Sequence, residues 1–168
     1  MSTSTSDTVS ADLTLTRNYV RDGKVMQIAT LAESGEPVVC NLWYASSFDP
    51  DRLLFISRPD RAHCRNIRAD RRVAGAVLTI ELDGLGQEVQ GVSFAGTARQ
   101  VPDESAPALL PIYHGRWPAG GELANRELMR ADANAHRLYE IQIHRWILFD
   151  EVNHPDDPRR VIELATTI

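Results

Sequence analysis

The sequence predicts a mainly β fold, an antiparallel barrel or closed sandwich with a few peripheral helices, and three observations carry that expectation. Short segments rich in β-branched and aromatic residues recur along the chain, bounded by glycine, proline and aspartate. Most of the connections between them are too short for a crossover helix, so neighbouring strands join as hairpins. No internal repeat and no linker divides the 168 residues, a length suited to one compact domain.

The elements follow in order. Residues 1–12, MSTSTSDTVSAD, are small and polar and lack the apolar core of a signal peptide. They read as a disordered tail, with residues 13–168 as the single domain. A helix is expected over 10–22, with Ser10 as N-cap, Leu13, Tyr19 and Val20 on an apolar face, and Gly23 at the C-cap. Strands over 25–32 and 38–46 flank the turn Glu33-Ser34-Gly35-Glu36-Pro37 and form a hairpin. After the turn at Phe48-Asp49-Pro50-Asp51 comes a strand over 52–57. A short helix over 59–70 follows, with Pro59 and Asp60 in its first turn and Ala62, Cys64 and Ile67 on one face. Strands over 73–82 and 89–101 enclose a glycine-bearing turn, and Gly91 and Gly96 are positions for bends or bulges. Residues 102–129 are mostly helical, interrupted at Trp117-Pro118-Ala119-Gly120-Gly121. A long strand over 138–149, with Tyr139, Ile141, Ile143 and Arg145 pointing one way, and a short one at Val161-Ile162 complete six or seven strands.

Composition narrows the function. With 43% hydrophobic and 24% charged residues the chain is of ordinary soluble type. A net charge of −5 argues against nucleic-acid or membrane-surface partners, and no stretch has the apolar length of a membrane span. Two cysteines, Cys40 and Cys64, with no metal spacing, read as apolar thiols of a reducing cytoplasm. There is no Walker loop, no GxSxG elbow and no HExxH, and Gly84-Leu85-Gly86 joins two strands, as a hairpin turn would. Asp49 and Asp51 flank a proline and read as turn residues; His63, His114, His136, His144 and His154 are scattered. Catalytic machinery local in sequence is missing, so an enzyme on this chain would need a cofactor to carry the chemistry.

The local exception to the acidic background is SRPDRAHCRN, Ser57 to Asn66, where a strand ends and a helix begins. Helix N-termini offer unpaired N–H groups and partial positive charge, and Arg58, Arg61 and His63 add charge-assisted donors suited to a phosphate. The alternative is a solvated helix face in which Asp60 and Asp70 pair with Arg61, Arg65 or Arg68.

The stretch LLFISRPDRAHCRNIRADRRVAGAVL, together with VQGVSFAGTARQV and the hairpin MQIATLAESGEPVVCNLWYA, resembles the pyridoxamine 5'-phosphate oxidase-like flavoproteins, the FMN-binding split β-barrel family. The resemblance covers roughly residues 13–150. It implies a split β-barrel homodimer with an FMN at each interface site. Ile56 and Ser57 match the strand end whose hydroxyl meets the phosphate or ribityl chain. His63 matches the second residue of the basic phosphate pair; the first is Ala62 here, with Arg58 and Arg61 nearby. Asn41, Leu42, Trp43 and Tyr44 match the segment lining the isoalloxazine ring, and Gln90 falls near a flavin-contacting glutamine. The oxidase's C-terminal substrate motif is not recognisable in VNHPDDPRRVIEL, which points away from vitamin B6 oxidation. Tyr113, His114, Arg116 and Trp117, in a helical insert like those that edge the pocket in related reductases, could face substrate; the alternative for such a Tyr/Trp group is core or dimer packing. The implied activity is that of an FMN-dependent oxidoreductase acting on a small acceptor. The alternatives on the same fold are a deazaflavin-dependent reductase, or a non-catalytic dimer binding flavin or haem, the latter needing His63 or His114 as axial ligand.

Overall fold

The structure is a computed structural model that describes residues 5–78, 80–81 and 83–165. The element order is α1 (Thr5–Asp22), β1 (Val25–Leu31), β2 (Pro37–Trp43), β3 (Ala45–Ser47), β4 (Arg52–Ser57), α2 (Ala62–Ala69), β5 (Arg72–Leu78) and β6 (Gln90–Gln100). The insert α3 (Ala106–Arg116), α4 (Gly120–Leu123) and α5 (Arg126–Ala131) precedes β7 (Arg137–Asp150) and β8 (Arg159–Glu163). All strand pairings are antiparallel, in the order β2-β1-β5-β6-β7-β4-β3, with β8 added on β7. The expected mainly β, antiparallel barrel architecture is what the chain forms.

The strand expected over 38–46 divides at Tyr44. Its first part, β2, pairs with β1, and its second, β3, pairs with β4. The two ends of the sheet path are therefore consecutive in sequence, and the sheet curls until its edges meet at this residue. Tyr44 is fully buried and its hydroxyl donates to the Val20 carbonyl at 2.6 Å, tying α1 to the closure point. That division gives eight strands among the described residues, against the six or seven expected.

Other boundaries differ for physical reasons. The first helix begins at Thr5, so residues 5–12 of the expected tail are helical, and Asp12 is buried against Arg160 (3.0 Å) and His154 (3.2 Å). Residues 1–4 lie outside the described residues. So do Thr79 and Leu82 at the end of the strand expected over 73–82; β5 stops at Leu78. Helix α2 starts at Ala62 with Arg61 as N-cap, leaving Pro59 and Asp60 before it and Ala62 exposed. The bulge is at Gly96, where the register with β7 shifts; a Cβ there would lie 2.2 Å from the Gln142 carbonyl oxygen. This shift reverses the alternation of β7: Tyr139, Ile141 and Ile143 point inward as expected, but Arg145 is exposed and Trp146 fully buried.

Two apolar cores result. The barrel interior holds Met26, Ile28, Phe55, Val77, Phe94, Ile141 and Trp146. A second core, with Leu54, Leu110, Tyr113, Met129 and Leu138, packs the helical insert against β4 and β7. No helix of the described residues is long and apolar enough to cross a membrane.

Candidate functional site

Alternation along β2 turns Asn41 and Trp43 to the exposed side while Leu42 is half-buried. Over this surface lies the helical insert, and between them opens a cavity of about 390 Å³ lined by Asn41, Leu42, Trp43, Ile56, Tyr113, Trp117, Leu123 and His136, with Ala119 and Gly120. Its walls are mainly apolar and aromatic. Trp43 and Trp117 meet edge to face, ring centres 4.8 Å apart, and Trp117 is held by its indole N–H donating to the Tyr44 carbonyl at 2.7 Å.

Next to Ile56, the strand-to-helix junction assembles the polar end. Ser57 Oγ and His63 Nε2 are 2.8 Å apart, and the imidazole leans edge-on toward Phe55. No side chain caps the first turn of α2, so its N–H groups remain available to an anion. Arg58 pairs with Asp60 at 3.2 Å, while Arg65 donates to the Asp60 carbonyl and Arg68 to that of Pro59 (3.2 Å). These two arginines brace the 58–61 loop from below. Asn66 fastens the helix to β1 by donating to Thr30 Oγ1 at 3.0 Å.

The β4–β7 register pairs Ser57 with Arg137, which brings His136 alongside Arg58. His136 is held below the ordinary imidazole range by partial burial and by the positive charges of Arg58 and Arg61. His63 is lowered likewise, by burial first and then by Arg61. Cations crowd this junction. None of the residues lining the cavity carries a carboxylate to balance them.

Of the residues singled out from sequence, Asn41, Leu42, Trp43 and Ile56 line the cavity, and Ser57, Arg58, Arg61 and His63 form the adjoining junction. Gln90 is elsewhere: its amide donates to Tyr19 Oη (2.6 Å) and Asp150 Oδ1 (3.1 Å) in a network that binds α1 to the barrel. Of the insert residues, Tyr113 and Trp117 reach the cavity. Arg116 is spent on the carbonyls of Arg21 and Gly23, and His114 Nε2 is 2.9 Å from the Ala124 carbonyl. His136 was the omission: alone before a strand, it carries no local pattern, and only the sheet register shows its neighbours. Among the described residues no group of histidine, cysteine and carboxylate side chains is arranged to hold a metal ion.

A family model described as pyridoxamine 5'-phosphate oxidase matches residues 16–150. The chain belongs to the pyridoxamine 5'-phosphate oxidase family. Its fold is shared by solved structures of low sequence identity. A haem-binding protein from Mycobacterium smegmatis superposes with a TM-score of 0.71 at 14% identity, over 97% of this chain and 59% of its own. This chain thus spans less than two thirds of that protein. An FAD-binding protein from Mesorhizobium loti is 22% identical (TM-score 0.60; 79% of this chain, 90% of the other), and an F420 reductase is 22% identical (0.52; 77% and 94%). No curated protein sequence matches the chain.

Proposed function

We propose that the protein is an FMN-dependent oxidoreductase of this family acting on a small-molecule acceptor. The observation that carries the reading is the uncapped start of α2, crowded by Arg58, Arg61, His63 and His136, immediately beside an open aromatic cavity with no lining carboxylate. Clustered cations at a helix N-terminus fit a phosphate, even with Arg58 paired to Asp60, and flat apolar walls fit a fused ring.

Ser57 Oγ, the His63 imidazole, the Arg61 guanidinium and the α2 amides would hold the phosphate. Asn41 and the backbone of β2 would orient the ring, with Trp43 and Ile56 as its apolar bed. When bound, the flavin supplies hydride and electron transfer. The chain's own contribution is binding, orientation and exclusion of water, and it needs no acid–base side chain at the cavity. Tyr113, Trp117 and Leu123 form the wall left for a small substrate.

The reading includes a homodimer. Cross-strand pairing sets Val25 beside Trp43 and Ala29 beside Val39 on the outer face of β1 and β2, next to Ala74 and Ala76 of β5. Such an apolar face is unusual on a monomer.

Titration of the purified protein with FMN, riboflavin, a deazaflavin and haem, followed by visible absorption and flavin fluorescence, tests the assignment. FMN is expected to bind more tightly than riboflavin, because only FMN carries the phosphate. Absence of flavin binding overturns the reading, and a Soret band on haem addition with no flavin binding replaces it with the non-catalytic alternative.

A further inference from the structure

A second cavity, of about 290 Å³, opens between α2 and the adjoining ends of β6 and β7. It is lined by Cys64, Ile67, Arg68 and Arg71 on one side and by Arg99, Gln100, Pro102 and Tyr139 on the other. It shares no lining residue with the first cavity. Residues 64, 67, 68 and 71 fall at helical spacing, so one face of α2 and the turn after it supplies two arginines. The β6–β7 register sets Gln100 opposite Tyr139 and Arg99 opposite Glu140.

The cations here are not equally committed. Arg99 is bound to Glu140, 2.6 Å from Nε to Oε1, and Arg52 shares that carboxylate at 3.4 Å. Arg68 gives one nitrogen to the Pro59 carbonyl. The Arg71 guanidinium is exposed and has no partner among the described residues, since the neighbouring Asp70 is taken by Arg72 at 2.6 Å. No carboxylate lines the cavity.

The deciding observation is at the cavity's floor. Tyr139 is 2% exposed, and its hydroxyl has no nitrogen or oxygen partner, only the weakly hydrogen-bonding thiol of Cys64 beside it. Buried hydroxyls in native proteins are nearly always satisfied. The ring is fixed by stacking on Phe55, 5.1 Å between centres at 10°, so the hydroxyl has little freedom to find a partner elsewhere. Burial raises both the Tyr139 phenol and the Cys64 thiol beside it, keeping each protonated and able to donate.

We propose that this cavity is a binding site for a small phosphate monoester, separate from the flavin site. The guanidiniums of Arg68 and Arg71, the Gln100 amide and the Tyr139 hydroxyl offer more donors than a carboxylate's two oxygens use, and they suit a dianion with three terminal oxygens. The volume exceeds a bare phosphate. Ile67 and Pro102 provide the apolar contact for a short carbon body.

The test uses the full chain in chloride buffer, with inorganic phosphate and glycerol 3-phosphate as probes, by calorimetric titration and thermal shift. Wild type and an Arg61→Ala, His63→Ala double variant should both bind the probes at millimolar concentration or below, because the double variant disables only the flavin junction. Arg71→Ala and Tyr139→Phe should each weaken glycerol 3-phosphate roughly tenfold, the loss of one charged or buried hydrogen bond. Tyr139→Phe should leave the urea midpoint of the ligand-free protein nearly unchanged, since the buried hydroxyl it removes meets only the weakly hydrogen-bonding Cys64 thiol. Binding abolished in the double variant, or undiminished in both Arg71→Ala and Tyr139→Phe, would overturn the proposal.

Discussion

Ser57 Oγ and His63 Nε2 stand 2.8 Å apart across the junction of β4 and α2. The pair fixes the strand-end hydroxyl and the imidazole at the uncapped start of the helix, beside Arg61. If this junction holds the flavin phosphate, Arg61→Ala and His63→Ala should each weaken FMN by about 1–3 kcal/mol, as removal of a charged hydrogen bond does. Fluorescence titration measures this, and riboflavin provides the control, because its affinity should not change. Equal losses for riboflavin and FMN would mean that the phosphate lies elsewhere.

The same junction sets a pH dependence for the ligand-free protein. His63 and His136 both have folded values below the ordinary 6.5, chiefly through burial. The unfolded chain then takes up these protons at higher pH than the folded one. Their contribution to stability is complete above the ordinary value and is lost as pH falls through it toward the lowered folded values. The urea midpoint should therefore drop between about pH 8 and pH 5.5. His136→Asn should show a smaller drop. Addition of FMN should also reduce it, since a bound phosphate favours the protonated imidazoles. An identical profile for His136→Asn and wild type would remove His136 from the account.

Away from the site, Asp51 ties the turn before β4 to α1 and to β7. Its carboxylate, 1% exposed, accepts from Trp146 Nε1 at 2.6 Å and pairs with Arg17 at 2.5 Å. Asp51→Ala should cost on the order of 1–3 kcal/mol, because it strands the buried Trp146 N–H, while Arg17 keeps its second carboxylate, Asp49, at 2.9 Å. Tyr44→Phe should cost about 1–3 kcal/mol by leaving the Val20 carbonyl unpaired. Urea unfolding reads both. A loss for Asp51→Ala no larger than that of an exposed ion pair would show that the pocket rehydrates freely.

What the sequence made legible was whatever depends on local pattern. β-Branched runs and turn residues located the strands, and the strand-to-helix junction at Ser57 was visible as a cluster of cations. What it hid depends on pairing. Tyr44 divides one apolar run into β2 and β3 because the chain changes partner there. Arg145 and Trp146 exchange faces because the bulge at Gly96 shifts register. His136 joins the site only through the pairing of Ser57 with Arg137, and Gln90 leaves it because Tyr19 and Asp150 claim its amide. Asp49 and Asp51, read as turn residues, do lie in that turn, yet Asp51 also anchors α1 through Arg17, a long-range pairing that no local pattern encodes.

The outer face of β1, β2 and β5 leads to the last prediction. Val39 is 63% exposed, Trp43 55% and Leu78 56%, high values for large apolar side chains on β2 and on β5, which flank β1. The β1–β2 register makes Val39 and Trp43 members of one alternating row, with Asn41 between them. That row borders the candidate flavin cavity through Asn41 and Trp43. A second copy covering the row would also close the cavity, so association and flavin binding should fail together. Sedimentation should show a dimer for wild type and a monomer for Val39→Asp, which places an unpaired charge in the middle of the face at a cost of several kcal/mol. Val39 does not line the cavity, so FMN affinity lost in this variant can be attributed to the missing partner. A Val39→Asp monomer that binds FMN as wild type does would instead show that one chain completes the site alone.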